Sequence, residues 1–309
     1  MSPVPQRPIE GAIVATFGYM VLAQQDQLAN LSEEIAAELH LYMVCARPRI
    51  GVVPDEFIAT TTTCTLVCTS QHDDELRRLE IETPNRLGRS DLRMESDWPY
   101  GDFKLIASDG EVVSCGRSSL LLSSVGFHCE DLDLDVLYVG QAYGSGGSRS
   151  ATDRLRSHET LQGIYSEAVR RSPDQEIYLL LLGMDDPYGL ITFYPVPEGP
   201  DDDVVGDFHR LTSPISEQQR VNFTEAALIK YFAPPYNKEY KDTFPSPAHK
   251  TYSECYELDL NAVGFELETS EVLRTRLYSK TVTRAWIHAA AFELHSSADR
   301  RSMFDFASD

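Results

Sequence analysis

Val136-Leu137-Tyr138-Val139-Gly140 reads as a β-strand, a run of branched and aromatic residues closed by a glycine. Two helices are predicted after it, and each carries charge where an apolar residue would be expected. In the first, over 151–171, Arg154, His158, Leu161, Tyr165 and Ala168 follow steps of four, three, four and three, so they share one face. Leu161, Tyr165 and Ala168 suit a sheet beneath them; Arg154 and His158 continue the stripe to its N-terminal end, where it would emerge at the sheet's rim. Gly163 weakens this helix by roughly 1 kcal/mol relative to alanine, and Pro173 stops it. The second helix, over 216–232, is ended by Pro234-Pro235. Its Val221, Glu225, Leu228 and Phe232 fall at i, i+4, i+7 and i+11, which sets Glu225 within an apolar stripe. A carboxylate there needs a partner, because desolvating it alone costs several kcal/mol. Arg154 and a divalent cation held through oxygen ligands both qualify.

The flanking sequence is mixed. An apolar patch spans 12–23, and a helix is expected over 31–41 with Ser32 as its N-cap. Strands are predicted at 41–46, 58–69 and 79–82, with a hairpin over 103–114 about Asp109-Gly110. Two further strands are expected at 120–127 and 135–139. The unbroken apolar run 176–182 predicts a strand buried on both faces. A segment rich in Pro, Gly and Asp, 183–213, reads as an insertion. Strands are predicted near 252–267, and 285–294 reads as a core-packing helix. The chain is accordingly α+β and divides into a β-rich N-terminal region (1–117), a central domain (118–245) and a strand-helix extension (246–309).

Composition bounds the function. A chain of 309 residues with 42% hydrophobic content can bury a large core. No apolar run reaches the roughly 20 residues needed to span a bilayer, so no membrane partner is expected. The N-terminal residues show no basic flank followed by an apolar run, hence no signal peptide and a cytoplasmic setting. Six cysteines in this length do not make a disulfide framework. Cys64 and Cys68 fall on one predicted strand, roughly 13 Å apart and too far to share a metal. A net charge of −21 argues against a broad nucleic-acid-binding surface and leaves room for a basic protein partner.

Taken in order, four features resemble the GIY-YIG nuclease family over roughly 125–241. They are Tyr138-Val139-Gly140, Arg154 with His158 four residues on, Glu225 in Glu225-Ala226-Ala227-Leu228-Ile229, and Pro235-Tyr236-Asn237. The resemblance implies a small, mainly antiparallel sheet flanked by helices and a metal-dependent endonuclease acting on DNA. Glu225 would bind Mg²⁺ (or Mn²⁺), and Arg154 would stabilise charge on the phosphoryl group. Tyr138 would position the phosphate or the attacking water, His158 would move the proton, and Asn237 would brace the site. Gly140, Arg149 and Arg156 stand beside these as substrate contacts. Restriction or genome defence fits better than repair, since no repair-type accessory motif is present.

The family's first motif, Gly-Ile-Tyr, has no literal copy upstream. Val125-Gly126-Phe127 is the nearest candidate and lacks the hydroxyl; Tyr100 is the second, and Gly163-Ile164-Tyr165 lies downstream on a helix. Phe127 and the acidic charge favour an alternative, a catalytically impaired module serving as a binding or scaffold subunit. A third reading takes the glycine-rich stretch 144–148 and the helix after it as a nucleotide-phosphate site. Its spacing fits neither G-x-G-x-x-G nor a Walker loop, because no Lys-Ser/Thr follows and Arg149 stands where the third glycine should be.

Overall fold

The chain begins with β1 (Ile9–Thr16), β2 (Tyr19–Ala23), α1 (Glu33–Ala37) and β3 (Leu41–Pro48). Seven strands follow: β4 (Ile50–Val52), β5 (Ile58–Ala59), β6 (Thr63–His72), β7 (Glu75–Pro84), β8 (Leu92–Glu95), β9 (Asp102–Ala107) and β10 (Val112–Arg117). After α2 (Ser118–Ser124) come β11 (Leu134–Gln141), α3 (Glu159–Arg171), β12 (Gln175–Gly183) and β13 (Tyr188–Phe193). The chain ends with α4 (Val204–Leu211), α5 (Glu217–Phe232), α6 (Ser253–Glu257), β14 (Ala262–Glu268), β15 (Leu277–Tyr278) and β16 (Ile287–Glu293). This computed structural model describes residues 8–141, 159–193, 203–296, 299–300 and 303.

The central sheet has the order β15-β11-β3-β12-β2 and is antiparallel except where β15 joins β11. Its middle strands are buried on both faces, as the apolar run in β12 requires. Ile177, Leu179 and Leu181 pack with Tyr42 and Val44 beneath Leu161 and Ile164 of α3. Tyr178, Leu180 and Leu182 pack with Met43 on the other face, against Val221 and Leu228 of α5. A second sheet, β13-β1-β14-β16, covers the far side of α5 through Val263, Phe265 and Leu267. Enclosed by two sheets, α5 is buried almost all round, with Val221, Phe223, Thr224, Ala226, Ala227, Leu228, Ile229 and Phe232 inside.

β4 to β10 and α2 form a β-rich lobe with its own core, which includes Val52, Leu66, Phe103 and Leu122. This lobe leaves the central sheet after β3 and returns at β11, so two neighbouring strands are joined through the 85 residues 49–133 of separate structure. The central sheet therefore draws on all three predicted segments: β2 and β3 from 1–117, β11 and β12 from 118–245, and β15 from 246–309. Asp133, fully buried at the entry to β11, is held by Arg276 (2.8 Å) and Arg284 (3.1 Å) of the C-terminal part.

Several predicted elements form differently. Residues 120–127 are not a strand: 118–124 make α2, whose leucines favour a helix and whose Leu121 and Leu122 complete the lobe's core. Residues 285–294 are not a helix. They hold β16, because the free edge of β14 pairs with them from Ala262↔Glu293 to Glu268↔Ile287, and His288 turns inward. The predicted insertion contains β13 and α4; of the 252–267 stretch, the later part is the expected strand, β14, and the start is the short helix α6. Ser32 does cap its helix, accepting from the Ile35 amide at 3.3 Å, though the helix is only Glu33–Ala37. Among the described residues no helix is long and apolar enough to cross a membrane.

Candidate active site

β11 carries an irregularity between Val136 and Tyr138. Period-two alternation is broken there: Leu137 and Tyr138 both pack toward α3, while Val136 and Val139 face the α5 side. The bulge thus aims Tyr138 onto the same face as Tyr42 of β3. Gly140 pairs with Tyr42 and Tyr138 with Val44, leaving the two tyrosine rings 5.9 Å apart and tilted by 39°. A Cβ on Gly140 would meet Tyr138 Cε1 at 2.7 Å and Tyr42 Cζ at 2.8 Å. Glycine is needed here for the close approach of two rings.

The outer edge of β11 is unusual too. β15 pairs only with Leu134 and Asp135, so the strand's far half needs another partner. Residues 236 and 237 supply it. The Tyr236 amide donates to the Leu137 carbonyl (3.2 Å). Asn237 brackets Val139, its Oδ1 accepting from the amide (2.9 Å) and its Nδ2 donating to the carbonyl (2.8 Å). One side chain therefore does the work of a strand neighbour.

Glu225 sits half-buried on α5, where its carboxylate meets the end of the same strand. Gln141 Nε2 donates to Glu225 Oε2 (2.7 Å) and to Asn222 Oδ1 (2.8 Å), using both amide protons. Gln218 Nε2 also donates to Asn222 Oδ1 (3.0 Å), and Asn222 Nδ2 donates to the Thr251 carbonyl. Strand and helix are clamped together one turn from the carboxylate.

These features border one cleft of about 560 Å³, whose lining includes Tyr138, Glu225, Asn237, Lys238 and, from α3, Thr160 and Gly163. Tyr236 and Glu167 lie in its wall; burial and a hydrogen bond to Glu167 push the Tyr236 hydroxyl above its usual range. Of the predicted site, Tyr138, Glu225 and Asn237 thus come together, with Gly140 alongside. Arg149, Arg154, Arg156 and His158 lie outside the described residues. Among the described residues no three His, Cys, Asp or Glu side chains gather as a metal cluster. All six cysteines are free thiols, and burial pushes Cys68 up to about 12.

Neither upstream aromatic considered from the sequence, Phe127 or Tyr100, stands beside Tyr138. Phe127 follows α2 and packs on the core of the β-rich lobe, its amide bonded to the Leu122 carbonyl. Tyr100 lines a separate groove of that lobe. The tyrosine beside Tyr138 is Tyr42, 96 residues upstream, fully buried, and standing in Leu41-Tyr42-Met43 of a strand the sequence does predict.

No family model, curated protein or solved structure matches the chain.

What the cleft can do follows from its donors. Mg²⁺ takes oxygen ligands, keeps several waters, and often binds through one or two carboxylates plus substrate phosphate. A single carboxylate braced by an amide, on a cleft with room for water, fits that donor set. The tyrosine hydroxyls and Lys238 are the hydrogen-bond donors for an anionic ligand on the same walls.

Proposed function

We propose that this chain is a metal-dependent DNA endonuclease of the GIY-YIG kind, hydrolysing phosphodiester bonds in the cleft at the β11 edge. The observation that carries the reading is the junction itself: Tyr42 and Tyr138 side by side over Gly140, their rings tilted, with Tyr138 and the Glu225 carboxylate on one cleft. Tyr42 supplies the second ring and hydroxyl that the 125–127 stretch lacks.

Glu225 would hold the divalent ion, Mg²⁺ or Mn²⁺, which when bound polarises the phosphoryl oxygens and offsets developing charge. Gln141 fixes the carboxylate's orientation before the ion arrives. Tyr138 orients the phosphate or the water, and buried Tyr42 limits where that ring can go. Asn237 fixes the strand that carries Tyr138. Arg154 and His158 take the charge-stabilising and proton-transfer roles in this reading.

The test is metal-dependent cleavage: supercoiled plasmid incubated with the protein should be nicked or linearised in Mg²⁺ or Mn²⁺ and untouched in chelator. One observation favours the impaired module instead. The cleft wall is acidic, with Glu167 and Glu239 against Lys238, in a chain of net charge −21. That reading predicts retained plasmid under every metal condition.

A further inference from the structure

A second, larger cavity lies away from this cleft. It is a groove of about 800 Å³ in the β-rich lobe, walled by the 96–102 loop and the ends of β4, β8 and β9. The loop is tied down on both sides. The Tyr100 carbonyl accepts from the Val52 amide (3.0 Å) and from Ser118 Oγ (2.8 Å), and the Gly101 carbonyl accepts from the Ser118 amide (2.8 Å). Despite this anchoring it presents aromatic surface to solvent. Trp98 is 83% exposed, Tyr100 43% and neighbouring Leu76 66%.

An exposed tryptophan on a fixed loop above an apolar floor marks a contact surface, and the charge around it selects the partner. Four carboxylates line the groove, from Asp55, Glu95, Asp97 and Asp102, and among the described residues Lys104 is its only cation. Glu95 is engaged by Arg93 and Asp102 by Arg117. Asp55 and Asp97 make no ion pair among the described residues, and they lie on the same groove as the Trp98 ring. Nucleic acid and a second copy of this chain are both disfavoured, because phosphates and another −21 surface would be repelled. A guanidinium suits all three features. It attracts carboxylates, stacks on an indole face, and carries an aliphatic stem for the exposed Leu76 side chain.

We infer that this groove is a docking site for an arginine-bearing, basic peptide segment of a partner protein, with Trp98 as the stacking platform and Asp55 and Asp97 as the anionic contacts. It is independent of the reading of the β11 cleft.

The test uses the full chain and an octapeptide of alternating arginine and glycine, with a glutamate-glycine octapeptide as control, at about 0.15 M salt to suppress long-range attraction. The chain has two tryptophans, and Trp286 packs against His128 with ring centroids 4.6 Å apart, so exposed Trp98 is the reporter. Saturable binding of the arginine peptide alone is expected, with a change in tryptophan emission that disappears in Trp98→Phe. Trp98→Ala should weaken binding about fivefold or more, and Asp55→Asn/Asp97→Asn about threefold or more. Both variants alter exposed side chains, and circular dichroism checks their fold. No saturable binding overturns the inference. So does equal affinity in wild type and both variants, which would mean diffuse attraction to an acidic surface.

Discussion

Asn237→Asp replaces one atom's chemistry and leaves the shape of the bracket on Val139 intact. One carboxylate oxygen can still accept from the Val139 amide, now at 2.9 Å. The other oxygen replaces Nδ2 and faces the Val139 carbonyl at 2.8 Å with no proton between them. Val139 is fully buried and position 237 only 8% exposed, so water does not relieve the conflict. A lost hydrogen bond plus an unsatisfied buried carbonyl costs about 2–4 kcal/mol at neutral pH. Protonating the new carboxyl restores a donor, so its folded-state pKa must lie above the unfolded value. The folded state then binds more protons than the unfolded state in that window, and stability falls as pH rises through it. Urea unfolding of wild type and variant, followed by circular dichroism between acid and neutral pH, should show a gap that narrows on acidification. Asn237→Leu should be destabilised at every pH. A gap independent of pH, or no gap at neutral pH, refutes the bracket as the reason for this residue.

Gly140→Ala should cost about 1–3 kcal/mol of stability by overpacking Tyr42 and Tyr138, measured by the same unfolding assay. Tyr42→Phe should slow DNA cleavage about tenfold or more, while Phe127→Tyr leaves it unchanged, as quantified on plasmid substrate. Gln141→Leu should leave the fold intact and raise the Mg²⁺ concentration needed for half-maximal cleavage about tenfold or more, because Glu225 loses the amide that orients it.

The sequence carried the strands and helices whose burial is periodic or continuous. β12 is legible because two packed faces demand an unbroken apolar run, and α5 because Val221, Leu228 and Phe232 share one stripe and Pro234-Pro235 closes it. The convergence of Tyr138, Glu225 and Asn237 follows from those elements. Tyr42 was hidden by topology. Its strand is readable, but its pairing with β11 spans the whole β-rich lobe and lies far beyond the reach of a hairpin upstream of Tyr138. Gln141 was hidden for a different reason: a glutamine at a strand end has no pattern until the helix carrying Glu225 arrives beside it. The Ala-rich 285–294 stretch departs from its local helix preference because it fills an open sheet edge.

The most direct measurement is the plasmid cleavage rate of Glu225→Ala against wild type in saturating Mg²⁺, with both proteins shown to be folded. Active wild type is expected, with a variant slower on the order of a hundredfold or more. Equal rates would place the chemistry elsewhere, and an inactive wild type would leave the cleft without the activity assigned to it.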